Sequence, residues 1–279
     1  MNLSRIISGT MNWGVWGVNH SKKDMCKLIS ESFDSGINSF DHADIYGGYT
    51  TEKSFGDAFV DTGIKREDVF FISKCGIMYP SEKLPIKTKH YDYSEDHIIK
   101  SVNNSLGYLQ TDYLDCLLLH RPSPLMDINI IANTVEGLIK SGKIKSFGVS
   151  NFTADQMDMF KGKVEILYNQ INLSLTHLDH MYDGTLDYMQ ANDILPMAYS
   201  PLGSYFKEQD GKIKKVVDKL KKKYDCTDYQ LLISWLLKHT SKVYPVIGTT
   251  KPDRINKSVD SLKIKIELID WFELLEASV

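Results

Sequence analysis

Four polar residues stand at or just after the ends of short apolar runs in the sequence, and their types suit proton transfer. Asp41 closes one run and Tyr46 follows five residues later, while Lys74 and His120 end two further runs. If these runs are neighbouring parallel strands about 4.8 Å apart, their carboxyl ends meet and the four side chains share one cavity. A phenol, an ammonium, a carboxylate and an imidazole would then surround one small substrate.

Such a cluster suits the protonation of an oxygen atom that gains negative charge. A tyrosine has a pKa of about 10, but a neighbouring ammonium such as Lys74 stabilises the phenolate and lowers that value. Asp41 can hold Lys74 in place through a charge-assisted hydrogen bond, and His120 can supply a neutral donor. We therefore expect Tyr46 to be the general acid in the reduction of an aldehyde or ketone to an alcohol.

The elements that must position these residues alternate along the chain. Short runs of strand-forming residues recur, and amphipathic helical patterns fill the intervals between them. The predicted strands are 6–11, 37–41, 69–74, 113–120, 144–149, 165–170, 194–199 and 243–247. Alternation implies parallel pairing with right-handed crossovers, and eight such units close most readily into a (β/α)8 TIM barrel. An open doubly wound sheet is the alternative.

One long segment stands apart from this alternation. Residues 76–93 form a polar and aromatic connection after the third predicted strand, and a loop of that length is usually functional or mobile. At the top of a barrel it would border the pocket. The candidate pocket walls are Tyr79, Tyr91, Tyr93 and the early Trp13 and Trp16, with ordinary packing as the alternative. No low-complexity linker divides the chain, and we expect residues 1–279 to form a single barrel domain.

Composition and charge exclude several classes of function. The formal net charge is −3 and acids alternate with the lysines, so no one-sided basic face for nucleic acid is expected. The four cysteines lie far apart without zinc-site spacing, which disfavours a disulfide framework or a metal site. The longest apolar stretch, 231–237, is too short to span a bilayer, and residues 1–9 lack a signal-peptide pattern. We expect a cytoplasmic protein.

The stretch 38–47, which contains Asp41 and Tyr46, resembles the signature around the catalytic Asp and Tyr of the aldo-keto reductase superfamily, in the form of the bacterial-type NADP-dependent oxidoreductases. Residues 70–74, 117–122 and 148–152 resemble the family's lysine strand, histidine strand and Gly-Val-Ser-Asn-Phe motif. The resemblance implies that Tyr199 stacks on the nicotinamide ring. Other residues that it implies at the cofactor are Ser150, Asn151, Gln170, Ser200, Leu202 and Gly203.

The stretch 246–255 is similar to the family's adenosine-phosphate loop, in which Gly248, Thr249 and Thr250 lead into a helix. A helix N-terminus attracts phosphate, and the Arg254 guanidinium suits a 2′-phosphate. We therefore expect NADPH/NADP+ as cofactor, with NADH possible but weaker. A G-x-G-x-x-G fingerprint is absent, so the resemblance implies extended binding across the barrel top instead of a Rossmann turn.

Two other functions remain open at this point. Some relatives in the family are ion-channel subunits, so the chain could be a cofactor-binding regulatory subunit with little turnover. A metal-dependent barrel hydrolase could use Asp41, His42, Asp44 and His120 as ligands. The absence of a His-x-His pair on the first strand and the lysine on the third argue against it. No C-terminal loop like that of larger relatives is apparent, so substrate choice should rest on 76–93, Trp13 and 203–211. The resemblance implies a small carbonyl substrate and a monomer or weak oligomer.

Overall fold

A computed structural model describes residues 3–207 and 211–279, and its centre is a closed barrel of parallel strands. The strands of the chain are β1 (Ile7–Gly9), β2 (Ser39–Asp41), β3 (Phe70–Cys75), β4 (Ile77–Met78), β5 (His90–Tyr91), β6 (Cys116–Leu119), β7 (Phe147–Ser150), β8 (Tyr168–Asn172), β9 (Leu195–Tyr199) and β10 (Tyr244–Ile247). Around the barrel they follow the order β1-β10-β9-β8-β7-β6-β3-β2. The predicted (β/α)8 TIM barrel is confirmed, and the open sheet is wrong.

Helices connect the barrel strands and cover their outer face. They are α1 (Lys22–Asp34), α2 (Thr51–Thr62), α3 (Glu95–Leu109), α4 (Ile128–Lys140), α5 (Ala154–Asp158), α6 (Asp179–Tyr182), α7 (Thr185–Ala191), α8 (Lys212–Lys223), α9 (Asp228–Leu237), α10 (Pro252–Asp260) and α11 (Leu268–Glu276). Side-chain oxygens cap several N-termini: Ser21 accepts from the amide of Asp24, and Thr153 forms a capping box with Gln156. Within the described ranges, no helix has the length and apolar character needed to cross a membrane.

The interior of the barrel is filled by alternate residues of the strands. Phe70 and Ile72 of β3 lie inside with Cys116 and Leu118 of β6, and Phe71 instead faces the helices. The next alternate positions, at the carboxyl ends, are polar or small: Gly9, Asp41, Lys74, His120, Ser150, Gln170, Tyr199 and Gly248. The side-chain layers that pack the barrel therefore end at its top in a polar layer.

A close approach inside the barrel depends on a glycine of β7. A Cβ atom on Gly148 would lie 2.6 Å from the carbonyl oxygen of Tyr168 and 2.7 Å from Cδ2 of Leu118. Only a residue without a side chain lets β7 sit between β6 and β8 at this depth. Gly148 thereby sets the position of Ser150, which lies one layer higher on the same strand.

The eight predicted barrel strands were right in number and place, and all but the third were longer than the observed ones. The predicted run 113–120 contains only the four-residue β6, whereas β8 continues two residues beyond its predicted end. Segment 76–93 was expected to be a loop, yet β4 and β5 pair within it as an antiparallel hairpin through Ile77 with Tyr91 and Met78 with His90. These strands have two residues each, too short for an alternating pattern to appear in the sequence.

Candidate active site

A buried ion pair lies at the top of the barrel, at the ends of β2 and β3. The ammonium Nζ of Lys74 lies 2.7 Å from Oδ2 of Asp41, and it donates to the carbonyl oxygen of His42 at 2.8 Å and to the hydroxyl of Tyr46 at 3.0 Å. The Lys74 side chain has 0% exposed surface. Burial lowers the pKa of Lys74, but the Asp41 and Tyr46 oxygens outweigh it and hold that pKa above its ordinary value. The amine therefore stays charged.

Tyr46 lies in the tight turn after β2, where its amide donates to the carbonyl oxygen of Ala43 at 3.1 Å. The residue is 8% exposed. Burial raises the pKa of Tyr46, and the positive charge of Lys74 offsets only part of that effect. The expected net lowering of this pKa is wrong for the chain alone, because desolvation of the phenolate exceeds its attraction to Lys74. The phenol is protonated at neutral pH and so has a proton to give.

His120 follows β6 and faces Tyr46, with the two ring centroids 6.0 Å apart and nearly perpendicular. Burial, together with the positive charge of Lys74, holds the pKa of His120 well below its ordinary value, so the imidazole is neutral. Its Nδ1 atom is buried and has no hydrogen-bond partner among the described residues. An unpartnered ring nitrogen beside the phenol is suited to contact a polar ligand atom.

The amide and hydroxyl side chains at the ends of β7, β8 and β9 form a connected group. Asn151 donates through Nδ2 to Oγ of Ser150 at 2.8 Å and accepts through Oδ1 from the hydroxyl of Tyr199 at 2.8 Å. Gln170 donates through Nε2 to Oδ1 of Asp41 at 2.9 Å, which links this group to the ion pair. The oxygen Oε1 of Gln170 has no hydrogen-bond partner within the described ranges, although the residue is only 3% exposed. It is thus available to a ligand donor.

A cavity of about 400 Å³ opens above these residues, a volume within the range of small-molecule sites. Tyr46, Asp41 and His120 line it on one side, and Ser150, Asn151, Gln170 and Tyr199 line it on the other. Tyr79 and Trp16 add aromatic walls, and their ring centroids are 5.1 Å apart. Three members of the expected cluster, Asp41, Tyr46 and His120, therefore line one cavity together with these amide and hydroxyl side chains. Lys74 does not line it, because its side chain is fully buried behind Asp41 and Tyr46.

Three of the predicted pocket walls, Trp13, Tyr91 and Tyr93, do not line the cavity. Trp13 has 0% exposed surface and packs against Phe40 and Phe55 in the core between the barrel and the helices. That prediction is wrong, because the turn after β1 points Trp13 inward and presents Trp16 to the cavity instead. Tyr91 is half-buried beneath the cavity, where it packs against the cluster that contains Tyr46 and Ile77. It supports the wall without lining it.

Comparisons with known proteins identify the family of the chain. A family model described as the aldo/keto reductase family matches residues 5–274. The chain belongs to this family. It is 38% identical to the uncharacterized oxidoreductase YcsN of Bacillus subtilis, over 99% of this chain and 95% of that protein. It is 34% identical to a 6-dehydroglucose reductase of Agrobacterium fabrum, over 100% of this chain and 95% of that protein.

A solved structure gives the same result. The thermostable aldo-keto reductase Tm1743, in complex with the inhibitor epalrestat, matches with a TM-score of 0.84 at 25% identity, over 99% of this chain and 95% of that one. As an aldo/keto reductase, the chain is an oxidoreductase that acts on small molecules. Members of the family generally bind nicotinamide cofactors.

The residues expected at the cofactor of this aldo/keto reductase fall into two sets. Ser200 and Gly248 line the cavity beside Tyr199. The others are not among its lining residues: Leu202, Gly203, Thr249, Thr250 and Arg254. They lie beyond β9 and β10, on the β1-β10-β9 side of the barrel, and Arg254 is exposed in the first turn of α10. Of the segment 203–211, residues 208–210 lie outside the described residues.

Sequence reasoning missed two features of the site. The first is that Lys89 and Arg121 line the cavity. The position of Arg121 directly after His120 could have indicated its place there, but no pattern in the sequence indicates that of Lys89.

The second feature is a pair of acids behind the ion pair. Ser73 donates to Glu52 at 2.5 Å, Ser105 to Glu52 at 3.0 Å and Ser101 to Asp44 at 2.8 Å. Burial raises the pKa of Glu52 to about 7 and that of Asp44 to about 8.

Proposed function

We propose that this aldo/keto reductase reduces an aldehyde or ketone to an alcohol with NADPH, with Tyr46 as the general acid. The observation that carries the proposal is the hydrogen bond from Lys74 to the Tyr46 hydroxyl at 3.0 Å, anchored by Asp41 at 2.7 Å, beside a cavity of substrate size. An ammonium held against a phenol stabilises the phenolate that remains after proton transfer. A site built this way protonates an oxygen that accumulates negative charge.

The cavity fits a nicotinamide. Tyr199 offers a ring at its wall, and the free Oε1 of Gln170, with the polar atoms of Ser150 and Asn151 beside it, suits a carboxamide group. When bound, the reduced nicotinamide supplies a hydride to the carbonyl carbon. The ring would be oriented by Gln170, Ser150, Asn151 and Tyr199.

Tyr46 supplies the second hydrogen of the alcohol. Its hydroxyl gives a proton to the carbonyl oxygen as negative charge develops there, and Lys74 holds the resulting phenolate. His120, neutral and with an unpartnered nitrogen, donates to the same oxygen and sets the direction of the carbonyl. Asp41 keeps Lys74 charged and aimed at the phenol. The carbonyl thus gains one hydride and one proton, and Tyr46 regains its proton from solvent.

The preference for NADPH over NADH rests on Arg254. This residue lies in the first turn of α10, where the helix dipole favours a phosphate. Within the described ranges its side chain has no carboxylate partner, so the guanidinium can form paired hydrogen bonds with a 2′-phosphate. A single domain over residues 1–279, a cytoplasmic location and a monomeric or weakly oligomeric state stay predictions.

Replacing Tyr46 with phenylalanine tests the proposal. Y46F removes the proton donor and keeps the ring, so kcat for a reactive aldehyde should fall by about 10²- to 10⁴-fold while NADPH binding is retained. NADPH oxidation at 340 nm measures turnover, and quenching of tryptophan fluorescence measures binding. Turnover by Y46F at the wild-type rate removes Tyr46 from the mechanism. Tight NADPH binding with no turnover in the wild-type protein would instead favour a regulatory subunit.

A further inference from the structure

Two cationic side chains border the cavity without a counter-ion. Lys89 and Arg121 both line it. Among the described residues, neither side chain has a carboxylate within ion-pair distance. The only carboxylate among the described residues that line the cavity is Asp41, which is already paired with Lys74. The open part of the cavity therefore carries a net positive charge.

The main chain of Arg121 is fixed by a buried tyrosine. The Tyr93 hydroxyl donates to the carbonyl oxygen of Arg121 and accepts from its amide at 3.2 Å. Gly76 makes room for this ring, because a Cβ atom there would lie 1.9 Å from Cε1 of Tyr93 and the glycine has a φ of +103°. The guanidinium therefore extends from an anchored point directly after His120.

The two cations lie on the substrate side of the site. Lys89 belongs to the segment after β3 and Arg121 follows β6, and β3 and β6 are neighbours in the barrel. The residues proposed to contact the nicotinamide lie at the carboxyl ends of β7, β8 and β9. The proposed phosphate loop follows β10, which lies across the barrel from β6. The charges of Arg121 and Lys89 both reach His120, where they help to lower the pKa of the imidazole. They thus lie near the carbonyl to be reduced and away from the cofactor phosphates.

We propose that Lys89 and Arg121 bind a carboxylate on the substrate, so that this enzyme prefers carbonyl compounds that also carry a carboxylate. The inference rests on the proposed carbonyl reduction and names its substrate class. Arg121 presents a planar fork of donors that matches a carboxylate, and Lys89 adds a second positive charge at the same rim. Trp16 and Tyr79 close the aromatic side of the cavity around the carbon chain between the two groups.

The test compares two substrates of nearly equal size, 4-oxobutanoate and its methyl ester, which differ in one negative charge. In the wild-type protein kcat/KM should be about tenfold or more higher for the acid, and added salt should reduce that ratio. In Arg121→Met the acid-to-ester ratio should fall by about tenfold, equivalent to about 1.4 kcal/mol. Lys89→Met should lower the ratio as well.

Lys87→Met is the matched control, because Lys87 is exposed in the same segment but does not line the cavity. Its acid-to-ester ratio should equal that of the wild type. Because each ratio is measured within one protein, it does not depend on how much of the variant is folded. An ester reduced as well as the acid, or a ratio unchanged by Arg121→Met, overturns the proposal.

A binding measurement separates this inference from the proposed function. Succinate carries the carboxylate without a reducible carbonyl, and its binding can be followed by tryptophan fluorescence because Trp16 lines the cavity. Succinate binding that Arg121→Met abolishes, in a protein that reduces no carbonyl with NADPH, supports the anion site and refutes the proposed reduction. Carbonyl reduction without Arg121-dependent succinate binding refutes the anion site and supports the reduction.

Discussion

Replacing Lys74 with methionine removes one partner of a buried ion pair and keeps the volume of the side chain. The change leaves the carboxylate of Asp41, which is 3% exposed, with one remaining donor, Nε2 of Gln170 at 2.9 Å. The carbonyl oxygen of His42 and the hydroxyl of Tyr46 also lose a partner. Breaking a buried pair in this way costs about 3–5 kcal/mol, because the charge that remains is no longer compensated. The free energy of unfolding of K74M should fall by that amount.

Urea unfolding measures the loss. With a slope of about 3 kcal/mol per molar urea for a chain of this size, the midpoint should fall by about 1 M or more at unchanged slope. The double variant D41N/K74M contains neither charge, and a neutral replacement of a buried pair often costs little. It should therefore be more stable than K74M, and its loss should be smaller than the sum of the losses in D41N and K74M by about 2 kcal/mol.

A small loss in K74M would refute this reasoning. If K74M unfolds within about 1 kcal/mol of the wild-type protein, Asp41 has solvent or another cation to compensate it, and the pair is not buried as described. A double variant as unstable as the sum of the two single variants would show that Asp41 and Lys74 do not interact across the 2.7 Å contact. NADPH oxidation by K74M should be lost in either case if Lys74 stabilises the phenolate.

Two further predictions concern charge at other positions. Arg254→Ala should weaken NADPH by about tenfold or more and NADH by about twofold at most, because only NADPH carries the 2′-phosphate; equal losses in fluorescence titrations would contradict that role. Glu52 has an ordinary pKa of 4.5 and a pKa of about 7 in the folded chain, so the folded state binds this proton more tightly. Below pH 4.5 the carboxyl is protonated in both the folded and the unfolded chain, and the free energy of unfolding is unaffected. Above pH 7 it is ionised in both, and the free energy of unfolding is lower by about 3 kcal/mol. The stability of E52Q relative to wild type should rise between those pH values, and a constant difference in urea midpoints would contradict it.

The barrel and its polar top layer could be predicted from the sequence because both follow from alternation along strands. In β3, Phe70 and Ile72 point into the barrel, so Lys74 must do the same one layer higher. The same step of two leads from Cys116 and Leu118 to His120. A residue two positions beyond a buried inward residue has its direction set by the pleat, and the closed barrel then brings such residues together whatever their separation in sequence.

The pKa of Tyr46 could not be predicted in the same way, because its sign depends on two opposing quantities. The ammonium of Lys74 lowers that pKa, and this could be foreseen from the residue types alone. Desolvation raises it, and its size depends on the 8% exposure of the residue, which only the packed turn after β2 determines. A list of neighbouring charges gives the direction of each charge effect but not the depth of burial against which it acts.

The loops carry no such pattern, and there the sequence could name candidates without giving their directions. Trp13 and Trp16 lie three residues apart in the turn after β1, where no alternation relates one side chain to the next. In the fold, the amide of Trp13 donates to the carbonyl oxygen of Thr10 at 2.9 Å, and this turn aims the indole into the core against Phe40. Trp16 follows once the chain has reversed, so it faces the cavity. Arg121 was not predicted to line the cavity for a related reason. Its direction depends on Tyr93, a residue 28 positions away in the sequence.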